Sequence, residues 1–401
     1  MAFNHHHVDI CVVGNGAVGK VAALALSQQG LRVGLLAPAS TAPVTAHNDE
    51  WDVRVFALNH VAHRLLSGVK VWDALRLERV QAVSAMQIVD AVPNTLAASA
   101  LSFDAYAAHV EELAWIIEDR NLNQALDQAL QFAQHITRIE GQAQSLRVDG
   151  QGAEVHLSNG STVRAALIVG ADGAQSWVRG QCDISLDYRS YGQRAVVTNF
   201  ACEKPHLGVA HQWFVGEQGI IALLPLPGQQ VSLVWSAPDA LATELLQESL
   251  ESLANRLSVY GNAALGRLTP LQPESVRAFP LQFLRPHSMI APRVALVGDA
   301  AHVVHPMAGQ GMNLCFGDVA SLVAIIAERE SYRDCGDERV LRRYQRARRE
   351  EVAMMQVTTD GLTRLFGSDV APLRMARQIG LNLLNHLPVI KRKLIAQAMG
   401  K

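Results

Sequence analysis

Glycine-containing segments supply the residue spacings in this chain that suit binding chemistry. Residues 14–19 read GNGAVG, so Gly14, Gly16 and Gly19 have the GxGxxG spacing. The first glycine permits a tight turn, the second lets the backbone approach a pyrophosphate, and the third lets a helix pack closely on a strand. Free N–H groups at the start of a helix attract phosphate, so the helix that begins at Ala17 adds to the site. The segment therefore predicts dinucleotide binding.

The acidic partner that usually accompanies this motif is absent. In the dinucleotide-binding fingerprint, a carboxylate at the end of the second strand holds the ribose hydroxyls. Here the position carries Ala37, and the next carboxylates, Asp49 and Glu50, come too late in the chain. We therefore expect the ribose contact either to be lost or to come from another group, such as Ser40 or the backbone. We also expect the nucleotide to be held less tightly.

Two further segments follow apolar runs that are typical of buried strands. Residues 169–179 contain the turn-forming pair Asp172 and Gly173. Residues 297–313 place Asp299 just beyond a strand, where ligands bind outside the carboxyl ends of parallel strands. Both segments are therefore expected at the same edge of a sheet as the glycine-rich turn.

The end of the third segment predicts a place for an electron-rich ring. Gly309 and Gly311 carry no side-chain bulk, and a helix is predicted to begin at Met312. Free N–H groups at the start of that helix would stabilise negative charge on a ring such as a reduced flavin.

Histidines in the same segment are the candidates for a direct catalytic role. His302 and His305 could act as acid–base groups, with Pro306 beside them, although a structural hydrogen bond is the competing interpretation for a loop histidine. The run His5–His7 could suggest a metal site, but at a frayed terminus we expect no metal role.

The elements around these segments predict an α/β fold. Residues 8–13 read as a buried strand, residues 17–29 as a helix and residues 31–36 as a second, parallel strand. Residues 151–169 read as a hairpin that leads into a buried strand, and residues 195–235 as a mainly antiparallel sheet. Residues 292–297 return to a buried-strand pattern, and the chain is predicted to be helical from about residue 318 to its end.

These patterns divide the chain into three predicted parts. They are a discontinuous Rossmann-like cofactor-binding domain, an inserted antiparallel-sheet substrate domain, and a helical C-terminus. The corresponding residues are 1–75, 105–180 and 290–330 for the first, 76–104 and 181–289 for the second, and 331–401 for the third.

Composition narrows the class of protein. The chain has 401 residues, a net charge of -2 and only 5% aromatic residues, which argues against nucleic-acid binding. Its five cysteines are widely spread and form no CxxC pair, so a zinc site or a disulfide framework is not expected and a reducing cytoplasm fits. The sequence contains no run of 18 uncharged apolar residues, so we expect no membrane-spanning helix.

The three motifs, in this order and at these separations, resemble those of the class A FAD-dependent aromatic monooxygenases, the group that includes para-hydroxybenzoate hydroxylase. The ubiquinone-biosynthesis hydroxylases in that group are the most similar. Their sequences resemble this chain at residues 52–59, 298–313, 341–344 and 394–400, so the resemblance covers nearly the whole chain.

The resemblance implies a role in binding FAD for residues in all three motifs and for Arg54. Gly14, Gly16, Ala17 and Gly19 would take the pyrophosphate. The residues implied elsewhere on the cofactor are Arg54 near the flavin, Asp172 and Gly173 in a motif linked to both FAD and NAD(P)H, Asp299 at the ribityl and pyrophosphate groups, and Gly309, Gly311, Met312 and Asn313 beside the isoalloxazine ring.

The chain departs from the family pattern at three positions near the flavin. Asp119 stands where asparagine or arginine is frequent, Cys315 replaces a usual glycine, and Gly317 replaces a larger residue. These departures bear on the placement of the flavin and not on the fold.

The resemblance also implies the reaction. NAD(P)H would reduce the flavin, O₂ would form a C4a-hydroperoxide, and one oxygen atom would pass to the ring of a polyprenylated phenol or quinol in ubiquinone biosynthesis. Two alternatives stay open: an accessory, non-catalytic subunit of a quinone-biosynthesis complex, which the missing acid at Ala37 would suit, and a flavin-dependent reductase of the same superfamily.

The C-terminal residues 370–401 contain six basic residues and no acidic one, with apolar residues between them. A basic amphipathic helix can lie on an anionic membrane surface or dock a partner of the same pathway, and a helix packed on the protein body is the alternative. We therefore expect a cytoplasmic protein that could be peripheral at the inner face of the membrane. Oligomer formation stays open.

Overall fold

The computed structural model describes residues 4–38, 50–91, 100–272 and 275–366. The predicted mixed α/β fold is confirmed. The strands, in chain order, are β1 (His5–His7), β2 (Ile10–Val13), β3 (Val33–Ala37), β4 (Val55–Leu58), β5 (Val80–Val83), β6 (Ala85–Asp90), β7 (Ala100–Asp104), β8 (Ala114–Glu118), β9 (Ile136–Glu140), β10 (Ala143–Val148), β11 (Ala153–Leu157), β12 (Thr162–Ala165), β13 (Leu167–Gly170), β14 (Leu186–Cys202), β15 (Val209–Phe214), β16 (Ile220–Leu226), β17 (Gln230–Pro238), β18 (Leu268–Pro270), β19 (Arg277–Pro286), β20 (Ile290–Ala291) and β21 (Val294–Leu296). The helices are α1 (Ala17–Ser27), α2 (His60–Gly68), α3 (Asp119–Gln131), α4 (Trp177–Gln181), α5 (Asp239–Gln247), α6 (Leu250–Leu265), α7 (Gln310–Ala327) and α8 (Glu338–Phe366).

A mostly parallel sheet carries all three glycine-containing segments. Its strand order is β20-β21-β13-β2-β3-β9, and only the β20–β21 pair is antiparallel. Strands β2, β3 and β13 are buried along their whole length, because both faces of the sheet are covered. The predicted parallel β2–α1–β3 unit is confirmed. The three segments therefore meet at the carboxyl edge of this sheet.

A larger sheet forms the opposite side of the molecule. Its order is β18-β14-β17-β16-β15-β6-β7, with β19 also paired to β14, and it is antiparallel except between β15 and β6. One face packs on α5 and α6 through a buried cluster that includes Phe200, Trp213 and Trp235. The other face is turned toward the parallel sheet and supplies one wall of a cavity.

Two smaller sheets complete the structure. The order of the four-stranded sheet is β1-β12-β11-β10, and β11 and β12 form the predicted hairpin. In the second, β4 and β5 pair on either side of β8, which joins segments from both predicted domains. The predicted domain boundaries stay predictions.

Two local predictions are wrong. The histidines His5–His7 are not frayed, because their backbone pairs in parallel with Thr162–Arg164 at the edge of a sheet. Helix α7 begins at Gln310 and not at Met312, because Gly309 adopts a left-handed conformation (φ +67°) that sets the turn two residues earlier.

The C-terminal part is helical as predicted as far as the structure describes it, but with an interruption. Helix α7 ends at Ala327, and α8 begins only at Glu338. Between them, the turn at Gly336 lies against the β12–β13 connection, where a side chain would overlap the carbonyl oxygen of Ala166. The basic residues 370–401 lie outside the described residues.

Candidate active site

The glycine-rich turn between β2 and α1 is shaped by close backbone contacts. A Cβ atom at Gly14, where φ is +112°, would lie 2.4 Å from the carbonyl oxygen of Ala171, and one at Gly19 would lie 1.9 Å from the carbonyl oxygen of Gly14. A Cβ atom at Gly16 would meet nothing within 4 Å, and Gly16 lines a cavity. Packing thus requires the first and third glycines, whereas the second keeps open the space in front of the helix N-terminus.

That cavity has a volume of about 700 Å³ and lies between the two large sheets. This is within the range of small-molecule and cofactor sites, about 300–1,000 Å³. The predicted site residues that line it are Gly16, Ala17, Arg54, Gly173, Asp299, His305, Pro306, Gly309, Gly311, Met312 and Asn313. The predicted residues that are not among its lining residues are Gly14, Gly19, Asp172 and His302.

Asp299 presents its carboxylate to the cavity. It follows β21 on a short 3-10 turn in which Gly298 has a φ of +66°, and it is exposed. Its Oδ1 accepts a hydrogen bond from the Sγ of Cys315 (3.6 Å). Burial, together with the neighbouring carboxylates Asp299 and Asp318, raises the pKa of Cys315 well above its usual range, so the thiol stays protonated and able to donate. Cys315 therefore orients this carboxylate, a contact that glycine could not make.

His302 takes part in a buried ionic cluster behind the Asp299 turn. Its Nε2 lies 2.6 Å from Oδ2 of Asp318, which also accepts the backbone N–H of Gly298 at 2.9 Å. The Nε of Arg348, on α8, donates to the other oxygen of Asp318 at 2.8 Å. Burial alone would raise the pKa of Asp318, but His302 and Arg348 hold it below its usual value. This geometry favours the structural interpretation of His302.

Sequence reasoning missed Asp318 and Arg348. A signal was present, because Asp318 is the single acidic residue in the long apolar helix α7. A charge at such a position has to be paired when the helix is buried.

His305 lines the cavity, and its ring contacts side chains of β14. Its Nε2 is 3.1 Å from Oε1 of Gln193, and the ring of Tyr191 meets it edge-on with centroids 5.0 Å apart. Burial lowers the pKa of His305 to about 4, so the ring is neutral near pH 7. Its Nδ1 is sealed from the cavity and has no hydrogen-bond partner among the described residues. A catalytic role for His305 stays a prediction.

Arg54 marks the polar rim of the cavity. Its guanidinium group lies over the rings of Phe56 (5.3 Å) and Phe279 (5.6 Å), and 3.7 Å from the carboxylate of Asp119. Burial raises the pKa of Asp119, which also accepts a hydrogen bond from Asn123 at 2.7 Å. Asp119 and Asn123 both line the cavity, so this departure from the family pattern contributes to the site itself.

Two of the predicted site residues, Asp172 and Asn313, form side-chain hydrogen bonds with backbone groups around the site. Oδ2 of Asp172 accepts the backbone N–H of Val178 at 3.0 Å and so holds the start of α4. The side chain of Asn313 accepts the N–H of Asn59 (2.9 Å) and donates to the carbonyl oxygen of Ala57 (2.8 Å). Asn313 thereby ties α7 to β4 at the place where the flavin ring was predicted.

The missing acidic residue of the predicted nucleotide site falls at the end of β3. Strand β3 ends at Ala37, which is in register with Glu140 on β9. Ser40, a candidate to replace the missing acid, lies outside the described residues.

Residues 7–359 match the family described as FAD binding domain. The chain belongs to this family. It is 33% identical to the 3-demethoxyubiquinol 3-hydroxylase of Escherichia coli (strain K12), over 98% of this chain and 98% of that protein. It is 34% identical to ubiquinone hydroxylase UbiL of Rhodospirillum rubrum, over 98% of this chain and 89% of that protein.

Solved structures of FAD-dependent monooxygenases share the fold. PqsL of Pseudomonas aeruginosa, described as a probable FAD-dependent monooxygenase, superposes with a TM-score of 0.75 at 22% identity, over 94% of this chain and 99% of that one. The p-nitrophenol 4-monooxygenase PnpA of Pseudomonas putida DLL-E4 gives a TM-score of 0.72 at 17% identity, over 98% of each chain. At these identities the likeness concerns the fold.

Membership in the FAD-binding family confirms the expected class, an FAD-dependent aromatic monooxygenase of ubiquinone biosynthesis. The residues present fit FAD, because the open space at Gly16, the unblocked N-terminus of α1 and the exposed carboxylate of Asp299 face one cavity. Within the described ranges, no helix has the length and apolar character needed to cross a bilayer, and no His, Cys, Asp and Glu side chains are grouped to hold a metal ion.

Proposed function

We propose that this FAD-dependent hydroxylase inserts one oxygen atom from O₂ into the aromatic ring of a polyprenylated phenol or quinol, with NAD(P)H as the reductant. One observation carries the proposal: a single cavity runs from the phosphate-binding turn and the start of α7 to an apolar face of the large antiparallel sheet. Such a cavity has a polar end for a dinucleotide and an apolar end for an aromatic ring. The names of the relatives support the substrate class.

The polar end supplies the groups that would hold FAD. The backbone N–H groups at the start of α1 carry no side-chain cap and would bind the pyrophosphate, with Arg54 at the rim. Asp299 would accept hydrogen bonds from ribityl hydroxyls. The N-terminus of α7, also without a side-chain cap, would stabilise negative charge on the ring system. When bound, FAD supplies the redox chemistry between NAD(P)H and O₂.

The apolar end would orient the substrate ring and exclude water. Met86 and Ile88 on β6, Ala222 and Leu224 on β16, and Val234 on β17 come from three strands of this sheet, and all line the cavity. An apolar wall of this kind excludes water from the reacting groups. The shape of the cavity would then determine how the substrate ring is placed. No nucleophile or metal is required for such a reaction.

Cofactor loading and oxygen incorporation test the proposal. The purified protein is expected to bind FAD and to oxidise NAD(P)H faster when a prenylated phenol is added, with one atom of ¹⁸O₂ entering the product. Gly16→Val fills the open space in front of α1 and should lower FAD affinity at least tenfold without unfolding the protein. Gly150→Val is the matched control, since a Cβ atom at Gly150 also meets nothing within 4 Å and lies away from the cavity.

Three outcomes would contradict the proposal. Protein that fails to take up FAD would overturn it outright. Quinone synthesis that survives Gly16→Val in a deletion strain would favour the accessory-subunit alternative, and a product without ¹⁸O would favour a reductase.

We also infer that residues 370–401 bring the protein to an anionic membrane surface or to proteins of the same pathway. The six basic residues and the absence of acidic ones support this, as does the apolar character of a prenylated substrate. Sedimentation with anionic vesicles should decrease when Lys391, Arg392 and Lys393 are replaced by glutamine. Equal sedimentation of both proteins would contradict the membrane contact.

A further inference from the structure

The alternation of side chains along β15 separates two environments. Trp213 points to the face that packs on α5 and α6, and the ring of His211 stacks on it. Gln212 points to the other face. Its cross-strand partners are Ala222 on β16 and Ile88 on β6, and both line the cavity. Gln212 therefore stands in the apolar wall that faces the cofactor end of the cavity.

The carboxamide of Gln212 has no hydrogen-bond partner among the described residues. The residue is only 4% exposed, so its amide group is almost fully removed from bulk water. Its neighbours Ile88 and Ala222 offer no polar side-chain atom, nor does Val234, the next residue along the register. In contrast to Nδ1 of His305, its polar atoms are not sealed in the packing, so they open into the cavity that Gln212 lines.

A buried carboxamide without a partner is destabilising unless something bonds to it. It offers two N–H donors and one carbonyl acceptor, so it can accept from one oxygen substituent and donate to its neighbour on a ring. Ser236, on the same face of β17 and two residues from Val234, is a second buried polar side chain that lines the cavity without a hydrogen-bond partner among the described residues. Both groups fit a ligand that carries more than one oxygen on an aromatic ring.

We propose that Gln212 hydrogen-bonds the oxygen substituents of the substrate ring and makes the enzyme selective for phenols that carry a second ring oxygen, such as an alkoxy group. This inference rests on the proposed function, because it assigns the substrate to the same cavity. Ser236 contributes a further hydrogen bond at the same wall. A site built to bond a substrate oxygen discriminates strongly against the analogue that lacks it, because its own polar group is then left unpaired.

The test compares two prenylated phenols that differ only in an alkoxy group next to the hydroxyl. With FAD-loaded wild-type protein, KM for phenol-stimulated NAD(P)H oxidation should be lower for the alkoxy compound. Gln212→Leu should raise that KM about tenfold and bring the ratio of the two kcat/KM values close to one. Gln87→Leu makes the same chemical change at an exposed residue on the opposite face of β6, and it should keep the wild-type ratio.

Gln212→Met repeats the test with an unbranched side chain should the leucine variant not fold. Calorimetric binding of the same two phenols to each FAD-loaded variant gives a readout that does not require turnover. A ratio that stays at the wild-type value in Gln212→Leu or Gln212→Met overturns this inference and leaves the proposed function intact. Absence of phenol-stimulated oxidation in the wild-type protein, with phenol binding that still depends on Gln212, would instead remove the proposed reaction and keep the assigned contact.

Discussion

Asp318 is the residue on which the geometry of the cofactor-side turn depends. It is fully buried and joins His302, Arg348 and the backbone of Gly298. Replacing one partner of a buried ion pair leaves an uncompensated charge, so Asp318→Asn should lower the free energy of unfolding by about 3–5 kcal/mol in urea denaturation at pH 7. Asp239→Asn breaks only a partly exposed pair and should cost less than about 1 kcal/mol. Equal losses would contradict the assigned role.

Buried histidines make stability depend on pH in a defined direction. Burial lowers the pKa of His211 to about 4, whereas an unfolded histidine titrates near 6.5. The stability that depends on this neutral ring is complete above pH 6.5 and falls as the pH drops toward 4, because only the unfolded chain takes up the proton. The loss is on the order of 3 kcal/mol.

His211→Phe should therefore reduce the difference between urea midpoints measured at pH 7 and pH 4.5. His135→Gln changes an exposed histidine and should leave that difference as it is. A pH response that His211→Phe does not alter would contradict the assignment.

Among the elements, the turn of the β15–β16 hairpin packs so closely on the neighbouring strand β17 that it leaves no room for a side chain. Gly219 has a φ of +92°, and a Cβ atom there would lie 1.9 Å from the carbonyl oxygen of Ser236. Gly228, in the next hairpin, has a φ of +77° but open space around it. Gly228→Ala should lower the free energy of unfolding by about 1–2 kcal/mol, because alanine is strained in the left-handed conformation. Gly219→Ala should lower it clearly more, because a neighbouring strand also has to move. Equal urea midpoints for the two variants would show that the overlap relaxes freely.

Elements built from neighbouring residues could be predicted from the sequence. The β2–α1–β3 unit follows from apolar periodicity and Gly14, and the β11–β12 hairpin from a turn pair between two strands. The parallel pairing of β15 with β6 could not be predicted, because it joins segments more than a hundred residues apart. The same holds for the contact of Arg348 with Asp318 and for the place of Gln212, which depends on the register of four strands.

At the scale of the whole molecule, α8 connects the two large sheets. Near its start, the hydroxyl of Tyr344 donates to the carbonyl oxygen of Leu296 in the parallel sheet (2.7 Å). Further along, Nε2 of Gln356 donates to the carbonyl oxygen of Leu284 in the antiparallel sheet (3.1 Å). At its end, the ring of Phe366 stacks on Phe214 of β15. The helix thus fixes the separation of the two cavity walls.

Removing the last of these contacts should loosen the antiparallel wall. Phe366 is buried with its ring centroid 3.7 Å from that of Phe214, so Phe366→Ala should lower the free energy of unfolding by about 3–5 kcal/mol. Phe132→Ala removes a ring that is 79% exposed and should change it by less than about 0.5 kcal/mol in the same urea titration. Because Phe366 packs on the antiparallel wall and the phosphate turn lies on the parallel sheet, FAD affinity in Phe366→Ala should stay near that of the wild type. A matching loss of FAD affinity would mean instead that α8 transmits the disturbance to both walls together.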